Sequence, residues 1–119
     1  MSNYMICFSK NGAALGRKIL TAAPQENSGS AAPAEACASV SSASSAGWEL
    51  TECFGTVHES LADWTRRTFQ PGNNLLFIGA AGIAVRAIAP YVREKQSDPA
   101  VVVMDEKANW CIPILSGHL

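Results

Sequence analysis

Three short runs of this 119-residue chain combine side chains that can do chemistry. Ser116-Gly117-His118 sets a hydroxyl and an imidazole on either side of a glycine. An imidazole is the side chain best suited to moving protons near neutral pH. Asp105-Glu106-Lys107 offers two carboxylates and an ammonium in one turn. Gly79-Ala80-Ala81-Gly82 follows an apolar run and precedes a helical pattern. Glycines there let a ligand approach the backbone, and a helix start presents unpaired N–H groups to an anion. Arg86 lies four residues on, among Ile83, Val85 and Ile88, where a guanidinium needs a carboxylate, carbonyls or an anionic ligand. Each run also has a plain structural reading. The glycines suit a tight strand-to-helix turn, the charged turn suits solvent, and Arg86 suits an ion pair or a snorkelling side chain. Ser116 suits a helix cap. No GxSxG elbow supports a serine nucleophile, and no P-loop or GxGxxG pattern is present.

The elements that position these runs follow from periodicity. Tyr4–Phe8 reads as a first strand, and Ser9 as the cap of a helix whose apolar face carries Leu15, Ile19 and Leu20. Trp48–Phe54 reads as a second strand. Thr56 and Glu59 form a capping-box pattern ahead of a helix with Val57, Leu61 and Trp64 at helical spacing. Pro71-Gly72 closes it. Leu75–Ile78 is a continuous apolar run, as in a central strand covered on both faces. Pro90 kinks the helix after it or starts a second short one. Ala100–Met104 and Trp110–Leu115 read as a hairpin around the charged turn, with Pro113 assigning the last strand to an edge. The alternation predicts an α/β fold: a mainly parallel sheet of about five strands flanked by helices, the last strand antiparallel at an edge.

Length fits a single α/β domain over residues 1–119. Within it, residues 22–46 form an Ala/Ser-rich segment, 16 of 25 being one or the other. So little apolar area offsets ordering entropy poorly, which predicts a surface insertion rather than a lid. The net charge of −1 and the scatter of the nine basic residues argue against a nucleic-acid protein. No apolar run spans a membrane and no signal peptide opens the chain, so a cytoplasmic location is expected. Cys7, Cys37, Cys53 and Cys111 lack metal-ligand spacing and are expected to be reduced. His58 reads as a surface residue. From the residues alone, the reading ends at a small α/β domain with a candidate anion site at the glycine turn.

The pieces IGAAGIAVRAIAPYV, SDPAVVVMDEK and ILSGHL, in that order and spacing, extend the reading. Leu75–Leu119 resembles the N-terminal domain of the cobalamin-biosynthesis protein CbiG, cobalt-precorrin-5A hydrolase. The resemblance implies a role in the anaerobic route to vitamin B12. There a δ-lactone on a cobalt-bound tetrapyrrole is opened and a carbon fragment leaves as acetaldehyde, giving cobalt-precorrin-5B. It implies no protein-held cofactor or metal, because cobalt arrives with the substrate. It implies a cobalt-precorrin as ligand and, as partners, a C-terminal domain or other enzymes of the pathway. His118, Asp105 and Glu106 then become the acid–base candidates. Gly79, Gly82, Arg86, Lys107, Ser116 and Gly117 become candidates for holding the substrate carboxylates. In the family the residues matching SGHL run on into further glycines and a separate domain, so the hydrolase is expected to be represented here in part. The alternative is a non-catalytic module that binds a tetrapyrrole or docks on a larger biosynthetic protein.

Overall fold

A computed structural model describes residues 2–21, 48–56 and 58–115. The Ala/Ser-rich segment and the Ser116–His118 tripeptide lie outside the described residues. The elements run β1 (Asn3–Cys7), α1 (Lys10–Thr21), β2 (Trp48–Glu52), α2 (Leu61–Thr68), β3 (Asn74–Ile78), α3 (Ala81–Ile88), a 3₁₀ turn (Ala89–Tyr91), β4 (Ala100–Met104) and β5 (Cys111–Leu115). The sheet order is β2-β1-β3-β4-β5, parallel except for β4–β5. The expected architecture is therefore borne out, including the antiparallel edge strand that carries Pro113. A register shift between Val101 and Val102 further breaks the regularity of that edge pair.

Alternation along the strands divides the core into two layers. Met5, Cys7, Leu76, Ile78 and Val102 face α1, with Leu15, Ile19 and Leu20 packed against them. Ile6, Leu75, Phe77, Val101 and Val103 face the other way, against Trp64 of α2 and Ala84 and Ile88 of α3. Because β1, β3 and β4 are covered on both faces, their sequences read as unbroken apolar runs. Each fully buried Val, Leu, Ile or Phe contributes roughly 1.5–3 kcal/mol. Trp64 also meets Phe77 edge-on, at 5.3 Å between centroids and 81° between planes. Thr65 and Thr68, wholly buried, donate their hydroxyls to the Leu61 and Trp64 carbonyls at 2.8 Å.

Two local expectations are corrected. Thr56 does not cap α2. The helix starts at Leu61, and the Ser60 hydroxyl accepts the Asp63 N–H at 3.1 Å. Gly55, at φ +95°, still turns the chain immediately before Thr56. The second Ser/Thr-x-x-acid pattern, four residues on, takes the cap because only there has the chain become helical. The expectation of reduced cysteines holds for Cys7 and Cys53, but Cys111 is disulfide-bonded. Sequence spacing misses such a pairing, which depends on how the fold places distant Cβ atoms. Pro90 falls within the 3₁₀ turn, as a start of a short second helix requires. No helix among the described residues is long and apolar enough to cross a membrane.

Candidate functional site

β1 and β3 lie side by side, yet the chain leaves them toward opposite faces of the sheet, through α1 and through α3. A crevice at the carboxyl ends of two such strands is where open α/β sheets bind ligands. Two loops and one hairpin turn meet there.

On the β1 side, Ser9 starts α1. Its hydroxyl accepts the Gly12 N–H at 3.1 Å, and the same hydroxyl donates to a carboxylate oxygen of Glu106. This joins the first strand-to-helix loop to the hairpin turn 97 residues away. The sequence marks Ser9 as a cap, but nothing local to it signals the hydrogen bond to Glu106.

On the β3 side, Gly79 donates its N–H to the Met104 carbonyl at 2.9 Å, so that amide belongs to the sheet. A Cβ at Gly79 would sit 3.1 Å from the Phe8 ring, which explains the glycine. Ala80 occupies the cap position of α3 in extended conformation and makes no side-chain cap bond. Gly82, in the first turn, is exposed, with nothing among the described residues within 4 Å of where a Cβ would be. The two glycines of the motif thus differ: Gly79 allows close packing, and Gly82 leaves the helix start open.

The hairpin turn completes this edge. Asp105 donates its N–H to the Trp110 carbonyl at 3.2 Å, and its own carbonyl accepts the Ala108 N–H at 2.8 Å. Ala108 adopts φ +60°, a left-handed conformation that costs a residue with a Cβ roughly 1–2 kcal/mol. Among the described residues, the Asp105 carboxylate has no hydrogen-bond or ion-pair partner, whereas Glu106 is engaged by Ser9. Glu106 and Lys107 line a cavity of about 330 Å³ with Asn11, Leu15 and Lys18 of α1.

Arg86 does not join this group. It is exposed on α3 and lines a groove between α2 and α3, on the face of the sheet opposite α1. The candidates are therefore divided: Gly79, Gly82, Asp105, Glu106 and Lys107 gather at the carboxyl edge, Arg86 sits below it, and Ser116, Gly117 and His118 lie outside the described residues. Among the described residues, the two free thiols, Cys7 and Cys53, are disfavoured as thiolates. Burial, first of all, pushes Cys7 up to about 11 and also raises Cys53. Away from the edge, Arg67 grips Glu59 through two nitrogens at 2.8 and 3.0 Å and lies over the Tyr4 ring. The guanidinium holds the Glu59 carboxyl below its usual range. This cluster fastens α2 to the sheet. His58 is exposed, as expected.

Comparison with known proteins then bears out the family resemblance over the C-terminal half. Residues 63–119 match the family model described as Cobalamin synthesis G N-terminal. The chain is 54% identical over 57 residues to a cobalt-precorrin-5A hydrolase of Salmonella typhimurium, a match covering 48% of this chain and 16% of that protein. It is 45% identical over 51 residues to a cobalt-precorrin-5A hydrolase of Priestia megaterium, covering 43% and 14% respectively. The matches thus span about a sixth of the length of these relatives. In fold, the chain is similar to a cobalamin biosynthesis protein G homolog from Sulfolobus solfataricus: TM-score 0.56 and 24% identity, over 98% of this chain and 30% of that one.

Proposed function

We propose, from the premise that residues 63–119 carry the N-terminal sequence of the CbiG family, that this chain acts in anaerobic cobalamin biosynthesis as part of a cobalt-precorrin-5A hydrolase. The observation that carries the reading is the family match over residues 63–119, a stretch that includes the glycine turn and the acidic hairpin, beside 54% identity over 57 residues to such a hydrolase. The two runs lie on neighbouring strands, since Ile78 pairs with Met104, which supports their working on one ligand.

The reaction adds water to a lactone carbonyl. That opens the ring to a carboxylate and an alcohol, and the alkoxide then breaks a carbon–carbon bond to release acetaldehyde while the macrocycle accepts the electron pair. Water needs a base. His118 is the candidate by side-chain chemistry, and Asp105 is the freer of the two turn carboxylates. Glu106, held by Ser9, is better suited to orienting the turn. Substrate carboxylates suit the open α3 start at Gly82, the Lys107 ammonium and the Arg86 guanidinium. Ser116 and Gly117, adjoining His118 in sequence, complete the substrate-holding set. Cobalt enters as part of the substrate, and a cytoplasmic location suits such a pathway.

The test is release of acetaldehyde from cobalt-precorrin-5A by the chain, alone and with the remaining length of a relative supplied separately. Turnover in either case supports the reading. The small share of each relative that the chain matches favours one second reading, a module that binds the tetrapyrrole or docks while other polypeptide does the chemistry. Binding without turnover in both arms would select it. Within the hydrolase reading, His118→Ala should cut turnover by about 10²–10⁴-fold, the usual share of general acid–base catalysis. Near-normal turnover by the folded variant would remove His118 from the mechanism.

A further inference from the structure

The groove between α2 and α3 has the composition of a ligand site rather than of an ordinary helix seam. Its volume is about 490 Å³, and Leu61, Ala62, Ile83, Ala87 and Pro90 make it apolar. Tyr91 lines it and also lines a second cavity, of about 290 Å³. Arg86 lines the first, and Arg93 and Arg66 line the second. Neither Arg86 nor Arg93 makes an ion pair among the described residues. The third arginine here, Arg66, is paired with Asp63 at 2.6 Å. Asp98 shares the second cavity, where it accepts the backbone N–H of Arg93 at 2.9 Å and leaves the guanidinium unused. An apolar cleft of this size with a few convergent polar groups is the usual form of a small-molecule site. Two unpaired guanidinia flanking an aromatic ring select the chemistry: carboxylates at both ends of a flat apolar body.

We propose that the α2–α3 groove binds an amphipathic polycarboxylate with a flat apolar body, its carboxylates meeting Arg86 and Arg93 on either side of Tyr91. The identity of the natural ligand as a tetrapyrrole rests on the hydrolase reading; the groove's chemistry does not. The site faces away from α1 and from the cavity of Glu106 and Lys107, and its upper end reaches the carboxyl edge at Leu61 and Ile83, the first turns of their helices. A large ring held here can therefore present one margin to the glycine turn.

The probe is coproporphyrin, a tetracarboxylate ring, titrated into the full chain and followed by its visible absorption, with citrate as the carboxylate that lacks an apolar body. Coproporphyrin should bind and citrate should not displace it. Arg86→Gln and Arg93→Gln should each weaken binding about fivefold, the upper end for solvent-exposed charge pairs. Ala62→Trp, at an exposed helical position, should fill the groove and weaken binding by about tenfold or more. Arg17→Gln on α1 should leave it unchanged. Absence of binding, equal loss in Arg17→Gln, or unaltered affinity in the groove variants would overturn the proposal. Porphyrin binding lost in the groove variants, with no acetaldehyde formed by any arm, would refute the hydrolase reading and leave the groove standing. Acetaldehyde release undiminished in groove variants that have lost porphyrin affinity would keep the hydrolase reading and overturn the groove as the place where its substrate binds.

Discussion

The two strand-to-helix turns at the sheet's carboxyl edge solve the same problem in opposite ways. At the start of α1, Ser9 satisfies an orphan N–H from within the chain and ties down Glu106 as well, and Gly12 is packed against Cys7 and Ile78. At the start of α3, Ala80 offers no cap and Gly82 faces open space. An uncapped start costs stability, typically about 1 kcal/mol. An uncapped start beside a glycine with no packing contact among the described residues suits the ligand-facing role proposed above, whereas the first turn is fastened within the chain. One side of the crevice is thus cross-linked to the hairpin turn, and the other is not.

Four substitutions test that contrast, in order of expected effect. Gly12→Val would bring a Cβ within 3.1 Å of Cys7 Cβ and 3.4 Å of Ile78 Cγ2. Overpacking there should destabilise the chain by about 2 kcal/mol, read as a shift in the urea midpoint. Ser9→Ala removes the cap and frees Glu106, for a loss of about 1.5 kcal/mol; a loss near zero would show the α1 start to be no better fastened than the α3 start. Ala80→Ser should act oppositely. The backbone at φ −78° and ψ 138° already suits a cap, so stability should rise by about 1 kcal/mol while anion affinity falls, because the new hydroxyl competes for the same N–H groups. A rise in stability with no change in ligand affinity would sink the idea that this start is left open for a ligand. Gly82→Ala should add only about 0.5 kcal/mol through helix propensity, and calorimetry would resolve it against the packed Gly12.

Much of this architecture was legible because fully covered strands announce themselves. Leu75–Ile78 and Ala100–Met104 leave no polar face, and only a sheet with helices on both sides accommodates that. Pro113 likewise marked its strand as an edge before any pairing was known. The start of α2 was misplaced because Thr56 and Ser60 both head a capping pattern, and local chemistry does not say which lies where the chain turns helical. The site was legible in its parts and not in their grouping. The glycine turn and the acidic turn were evident, but their adjacency depends on β3 pairing with β4. Ser9 gripping Glu106 depends on residues 97 apart. Arg86 was recognisable as a guanidinium on an apolar helix. That the apolar stripe of Ile83, Ala87 and Pro90 forms a groove with Leu61 and Ala62 follows only from how α2 packs beside α3.

The outer margin of the sheet at β5 bears on how the molecule behaves in a crowded solution. An unpaired strand is a template on which another chain can add, and runaway addition of this kind leads to fibrils. Here Pro113 removes an amide donor from that template, and the irregular register opposite Val101 and Val102 spoils its flatness. The β5 edge therefore discourages strand capture between copies on this side of the sheet, next to the Val101–Val103 run of β4.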